Sequence, residues 1–230
     1  MKQLKVTIMT LVCLLSLSAI KAQVEIEEPV KIVITEYYTD KLDADFYTAY
    51  NDYINGKNQA AADRIIAAAE YIHVQAVEAQ EKDKKALNNS YQELLNLSKA
   101  LEANKINSTK QLSHIFSKAH YALSRHHYAQ AILLQSKKDL KKTGEAMHMA
   151  TKSLEHAARW SGDVVGEGAN NAWKETKKVG EAIGKGTKFT EEEIVKGIKS
   201  IGRESKKLGK KIFSHKKETY DIYWLEEVDY

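Results

Sequence analysis

The 230-residue chain carries 35 Lys and Arg against 31 Asp and Glu, which gives a formal net charge of +4. Its single cysteine, Cys13, lies in an apolar run near the start, so a chain cleaved after that run has no thiol for a disulfide, a nucleophile or a metal site. The chain has no Gly-rich phosphate loop and no local signature of a catalytic triad, which argues against nucleotide-binding folds and nucleophilic hydrolases.

Residues 1–22 have the pattern of a secretory signal peptide. Lys2 and Lys5 form a basic start, the apolar run Val6–Ile20 follows, and Ala22 ends a suitable cleavage site. Removal of this segment with its three lysines leaves about 208 residues and a charge of +1. We therefore expect an exported, soluble protein, periplasmic or extracellular, with no transmembrane segment in the mature chain.

Residues 23–42 are predicted to be an extended acidic leader, and residues 214–230 an acidic aromatic tail. Each has an alternating apolar pattern, at Val30, Ile32 and Ile34 in the first and around Trp224 in the second. The two could pair as a short β-ribbon, or both could be extended tails.

Residues 43–162 are predicted to form a helical bundle of about four to five helices. Apolar periodicity indicates helices near 43–54, 58–101, 108–134 and 139–160, the second being either one bent helix or two. Ser108 and Gln111 form a capping box, and the apolar face of 108–134 is broad enough to contact two neighbours. The fold class is therefore all-α and antiparallel, with 108–134 as the central helix. Weak similarity between two helix turns leaves a repeat of helical hairpins as an alternative.

Residues 163–213 are predicted to form a basic antiparallel helical hairpin. Apolar residues recur at spacings of four and three on either side of a short turn, and Thr190 with Glu193 makes a second capping box. Folding the chain about the turn places Gly180 opposite Gly197, so close backbone packing between these two helices is expected.

Two Glu-x-x-His motifs, at Glu70–His73 and Glu145–His148, have the spacing used in ferritin-like dimetal sites. Their phase argues against such a site, because Glu145 falls nearly opposite the apolar stripe of its helix. His73, His126 and His127 remain weak metal candidates. For His127 the preferred interpretation is a pair with Glu155. We predict no catalytic residue and no cofactor.

A second face of the 108–134 helix is rich in residues typical of protein interfaces. It either binds a partner or is covered by another helix of the chain. The residues proposed for partner binding are His114, Tyr121, Arg125 and Tyr128.

The basic charge is concentrated at 174–217, which has fourteen Lys and Arg against six acids. This face is either solvated or contacts an anionic surface. The residues proposed for the anionic contact are Lys174, Lys177, Lys178, Lys199, Arg203, Lys206 and Lys210. The first functional hypothesis is a non-enzymatic exported protein that binds a macromolecule or protects the envelope from stress. The alternatives are a module for lipid headgroups or polyanions, and a metal- or haem-dependent bundle enzyme.

Overall fold

A computed structural model of the protein describes the backbone of residues 27–162 and 167–214, and the side chains of 41–162 and 173–214. Within these ranges the chain is all-α and has no strand. The proposed signal peptide and the tail after 214 lie outside the described residues. The helices are α1 (Glu27–Ile54), α2 (Asn58–Glu78), α3 (Glu81–Glu102), α4 (Thr109–Ser136), α5 (Leu140–Trp160), α6 (Glu167–Gly184) and α7 (Glu191–Ser214).

The chain divides into two compact units, Met1–Asp40 and Lys41–Tyr230. In the first unit, residues 27–40 are helical, so the extended leader expected at 23–42 is wrong from Glu27 onward. Alternating apolar residues at Val30, Ile32 and Ile34 favoured a strand, and the structure places all three inside α1. In the second unit, α1 continues to Ile54 and buries Leu42, Phe46 and Ala49.

The stretch between 58 and 102 is two helices and not one bent helix. The break lies at Ala79 and Gln80, whose backbones are extended with ψ of 153° at both residues. The two helices run antiparallel, because Asn58 at the start of α2 donates to Asn104 just after α3 at 2.6 Å. The alanines of α2 allow this close neighbour, since Ala61, Ala62, Ala68 and Ala69 are all buried.

The 41–214 region has two central helices: α4, which the sequence predicted to be central and which contacts α1, α2, α3, α5 and α7, and α5, which is buried over most of its surface. Most of α5 is buried, including polar residues such as Lys152 and Ser153 on the side that its sequence would assign to solvent. The apolar stripe of α4 meets α1, α2 and α3 in the largest apolar cluster. Two further clusters join α5 to the C-terminal helices, through Met147 and Leu154.

Two buried hydrogen bonds set the register of the α4–α5 pair. Ser117 Oγ donates to the carbonyl of Ala157 and Ser124 Oγ donates to that of Ala150, both at 2.8 Å. In this pairing His127 lies opposite Met147 and not opposite Glu155, a shift of about two helical turns from the register expected from sequence. The reason lies in the tight turn after α4, where Lys138 adopts a φ of 59°.

Helices α6 and α7 form the predicted hairpin, and a Cβ on Gly197 would lie 4.0 Å from Val179 across it. The expected contact of Gly180 with Gly197 is wrong. A Cβ on Gly180 would instead lie 2.8 Å from both Gly144 O and His148 N of α5. A close approach of two backbones is therefore present, but it lies between α6 and α5 and not between α6 and α7. It occurs there because α5 has a glycine, Gly144, at the crossing point.

Candidate functional site

The most unusual group of side chains is a buried cluster around the carboxylate of Asp43. Trp160 Nε1 donates to Asp43 Oδ1 at 2.8 Å, and Arg159 Nη1 donates to Oδ2 at 3.1 Å. His156 Nδ1 lies 3.1 Å from Oδ2, and His120 Nε2 lies 3.3 Å from Oδ1. One largely buried carboxylate thus joins α1 to α4 and α5. We call these five residues the Asp43 cluster.

The electrostatics of the Asp43 cluster keep the carboxylate ionised. Burial by itself would raise the pKa of Asp43, but His120 and His156 hold it well below its ordinary value. Burial lowers the pKa of His120 to about 4, against the effect of Asp43 and with smaller contributions from His156 and Arg159. At neutral pH the cluster therefore holds an anionic carboxylate, a cationic guanidinium and a neutral His120.

Sequence reasoning did not find the Asp43 cluster, although part of its signal was present. Asp43, Phe46 and Tyr50 follow a helical spacing of three and four, which places Asp43 on the inward face of α1. The sequence predicts a helix that begins at Asp43, which makes this acid a terminal residue rather than an inward one. His156 carried no such signal, because it lies on the side of α5 that only α1 and its neighbours bury.

His126 and His127 are also buried, in α4, with ring centroids 5.3 Å apart. Burial lowers the pKa of His126 to about 4 and that of His127 to about 3. His127 Nδ1 lies 3.2 Å from Oε1 of Gln130, so the predicted pair with Glu155 is wrong. Glu155 lies instead 3.9 Å from Lys177 on α6, because the register shift moves it away from His127.

The weak metal candidates are not brought together. His73 lies on α2 and stacks on Tyr91 of α3, with ring centroids 4.7 Å apart. Among the described residues, no three His, Cys, Asp or Glu side chains could hold a metal ion as a group.

The four residues proposed for partner binding are partly covered by the chain itself. A Cβ on Gly202 of α7 would lie 2.5 Å from the Tyr128 hydroxyl, and Gly209 approaches the Tyr121 hydroxyl in the same way. Tyr121 also packs edge-to-face against Phe213. The two tyrosines are thus covered by α7, which is the second of the two alternatives given for this face. His114 and Arg125 are half-buried on the same helix.

Basic residues on α7 form the clearest exposed feature of the hairpin. They recur at spacings of three and four, so they lie in one stripe about 21 Å long. We call this the basic stripe, and its members are Lys196, Lys199, Arg203, Lys206 and Lys210, all exposed. The opposite side of α7 is the buried seam Ile194, Ile198, Ile201, Ser205, Leu208 and Ile212.

The acids of α7 neutralise little of this stripe. Glu204 is 3 % exposed and is held by Lys207 at 3.0 Å and by Arg203 at 3.3 Å. Three acids, Glu191, Glu192 and Glu193, lie in the first turn. Their negative charges interact favourably there with the positive end of the helix dipole. Within the described part of the chain, Lys199, Lys206 and Lys210 make no ion pair.

The proposed anionic-contact residues on α6 are less available. Lys177 is half-buried and faces Glu155 of α5, and Lys178 lies 3.4 Å from Glu175. Lys174 is exposed. The structure therefore separates the predicted set into α7 residues that face solvent and α6 residues that are partly paired within the protein.

Compared with known proteins, the chain matches no family model, no curated protein and no solved structure. Across the described residues, every helix falls short of the length and apolar character that spanning a membrane requires.

Proposed function

We propose that this protein is a non-enzymatic, exported binding protein whose ligand is a surface or polymer of closely spaced anionic groups. The observation that carries the proposal is the basic stripe of α7. Its five cations are exposed on one side of a helix that is fixed by a buried seam on the other.

The rigidity of the stripe supports binding rather than simple solvation. Helix α7 is held in place before any ligand binds. Its seam, which includes Ile198 and Ile201, packs on the bundle, and Gly202 and Gly209 lie against Tyr128 and Tyr121. A fixed array loses less conformational entropy on binding than flexible lysines on a loop. Near an anionic membrane each lysine or arginine contributes about 1 kcal/mol, so five acting together give a measurable affinity.

The experiment compares binding to anionic phosphatidylglycerol vesicles, to neutral phosphatidylcholine vesicles and to heparin, over a range of salt concentrations. The test variant replaces Lys199, Lys206 and Lys210 by Gln. The matched control replaces Lys99, Lys105 and Lys110 by Gln; these lysines are equally exposed but lie on α3, the following loop and α4. Both variants lower the net charge by the same amount.

We expect wild type and the control variant to bind anionic ligands at low salt and the stripe variant to lose most of this binding. Binding to vesicles but not to heparin identifies a lipid surface as the source of the anions, and the reverse identifies a polyanion. Equal loss in both triple variants would show that only net charge matters and would refute the stripe as a site. An absence of binding by wild type to either anionic ligand would refute the proposed function itself.

A further inference from the structure

The basic stripe of α7 is narrow and straight. Its five cations lie within about 80° of the helix circumference and follow one another at intervals of about 5 Å along the axis. Two further lysines, Lys207 and Lys211, lie on one flank of the stripe, and Lys207 pairs with Glu204 at 3.0 Å. Glu192, which is exposed, lies on the side of the stripe one turn before Lys196. This acid ends the row of cations toward the start of α7.

The apolar side chains of α7 are not available for a lipid bilayer. The five aliphatic residues of the seam are at most 7 % exposed, and Val195 and Phe213 are half-buried. Helices that bind at a membrane surface insert an apolar face into the headgroup region in addition to making cationic contacts. On α7 that face already packs on the bundle, so the helix offers a ligand its cations alone.

The stripe also offers no stacking surface for the bases of a single-stranded nucleic acid. Proteins that bind single strands combine cations with aromatic side chains on which the bases stack. The one aromatic residue of α7 is Phe213, which packs edge-to-face on Tyr121 with ring centroids 5.6 Å apart. The Nζ of Lys118 lies 5.9 Å from the centroid of the same ring. Phe213 is therefore engaged within the protein.

We propose that the basic stripe binds an unbranched acidic polysaccharide with one charge on each sugar, whose chain lies along α7. This inference rests on the proposed function, because it names the ligand of the same stripe. A linear polymer presents its anions in a row, as the stripe presents its cations. A bilayer presents its headgroups over a plane, which a narrow row on a helix meets only along one line. Contacts made by one ligand molecule reinforce one another, because each contact after the first is intramolecular.

The test measures the affinity of the full chain for oligogalacturonates of about two to about eight sugars over a range of salt concentrations. These oligomers carry one carboxylate on each sugar. The slope of the logarithm of the affinity against the logarithm of the salt concentration reports the number of charge contacts. We expect this slope to steepen with each added sugar up to about five, the length that spans the stripe, and then to stay constant. Each sugar added up to that length should raise the affinity about 1.5- to 5-fold.

Two variants, Lys196→Gln and Lys199→Gln, remove the same charge from different places in the row. Lys196 is the end of the stripe beside Glu192, so its removal shortens the row by one contact. Lys199 is internal, so its removal leaves both ends in place. We expect the slope to stop steepening one sugar earlier in Lys196→Gln than in wild type. In Lys199→Gln it should stop at the wild-type length, with a smaller final value. Both side chains are exposed, so neither variant removes a buried contact.

The same length dependence in both variants would overturn the proposal, because binding would then follow net charge and not a row of contacts. A slope that steepens up to the longest oligomer in wild type would overturn it as well. Binding to phosphatidylglycerol vesicles or to heparin, without binding to any oligogalacturonate, would overturn this ligand class and leave the proposed function standing. Absence of binding to all of these ligands would instead refute the proposed function.

Discussion

Gly180 of α6 lies against the backbone of His148 in α5, so closely that a Cβ on Gly180 would come 2.8 Å from the His148 amide nitrogen and 3.2 Å from its Cα. Neither atom can move without displacing α5. Gly144 provides the other half of the contact, because its carbonyl oxygen is equally close. The hairpin is thus attached to the bundle where two glycines meet.

This contact predicts that Gly180→Ala destabilises the protein, by about 1–3 kcal/mol through overpacking against backbone. Gly184→Ala is the matched control on the same helix. Its added Cβ would meet first the flexible Glu145 side chain, at 3.2 Å. The control should be neutral or slightly stabilising, because alanine favours helix by up to about 1 kcal/mol over glycine. Urea unfolding of both variants measures the difference, and equal stabilities would contradict the close approach.

Leu123 tests the buried face of α4. Its side chain is 0 % exposed within the largest apolar cluster, so Leu123→Ala should lower the free energy of unfolding by about 2–5 kcal/mol. Leu133→Ala, on the same helix but 36 % exposed, makes the same chemical change and should cost well under half as much. Similar melting temperatures for the two variants would show that the face is wrongly assigned.

His126 predicts a loss of stability in acid. Its pKa is lowered to about 4 in the folded protein, so its stabilising contribution is present above pH 6.5 and is lost as the pH falls toward 4. Between about pH 7.5 and pH 4.5 this single group should lower the free energy of unfolding by about 2–3 kcal/mol.

The variant that checks this is His126→Leu, measured by urea unfolding at both pH values. Neither ring nitrogen of His126 has a hydrogen-bond partner among the described residues, so an apolar replacement removes no polar contact there. The variant should lose less stability on acidification than wild type does. A variant at 126 with an unchanged pH dependence would count against the prediction.

The acidic tail offers a prediction that rests on sequence alone. Residues 218–230 contain five acids and no base, and they follow the basic region directly. If they compete with external anions, a chain ending at residue 217 should bind anionic vesicles or heparin more tightly, with a steeper salt dependence. Replacement of the five acids by Asn and Gln in the full-length chain separates the effect of charge from that of length. Unchanged binding in both would exclude such competition.

The local elements could be predicted from sequence because periodicity and capping are local physics. The spacing of apolar residues in α7, the Thr190–Glu193 capping box and the Ser108 cap all appear in the structure, where Thr190 N donates to Glu193 at 2.8 Å and Ser108 accepts from Lys110 N at 3.2 Å. Each depends on residues no more than one turn apart, so the chain need not be folded for them to be read.

What the tertiary structure decided is which side of each helix meets another helix. The sequence pattern places Lys152, His148 and His156 on a polar face of α5. These residues are buried only because α1, α6 and α7 pack on α5. The sequence pattern at Tyr121 and Tyr128 fits a binding surface and a covered surface equally well, and only in the folded chain do Gly209 and Gly202 of α7 lie against them. Asp43 and Trp160 are 117 residues apart, and their hydrogen bond forms only when α1 packs on α5. Such pairings depend on helix register and order of packing, and both are properties of the assembled chain that no single amphipathic pattern contains.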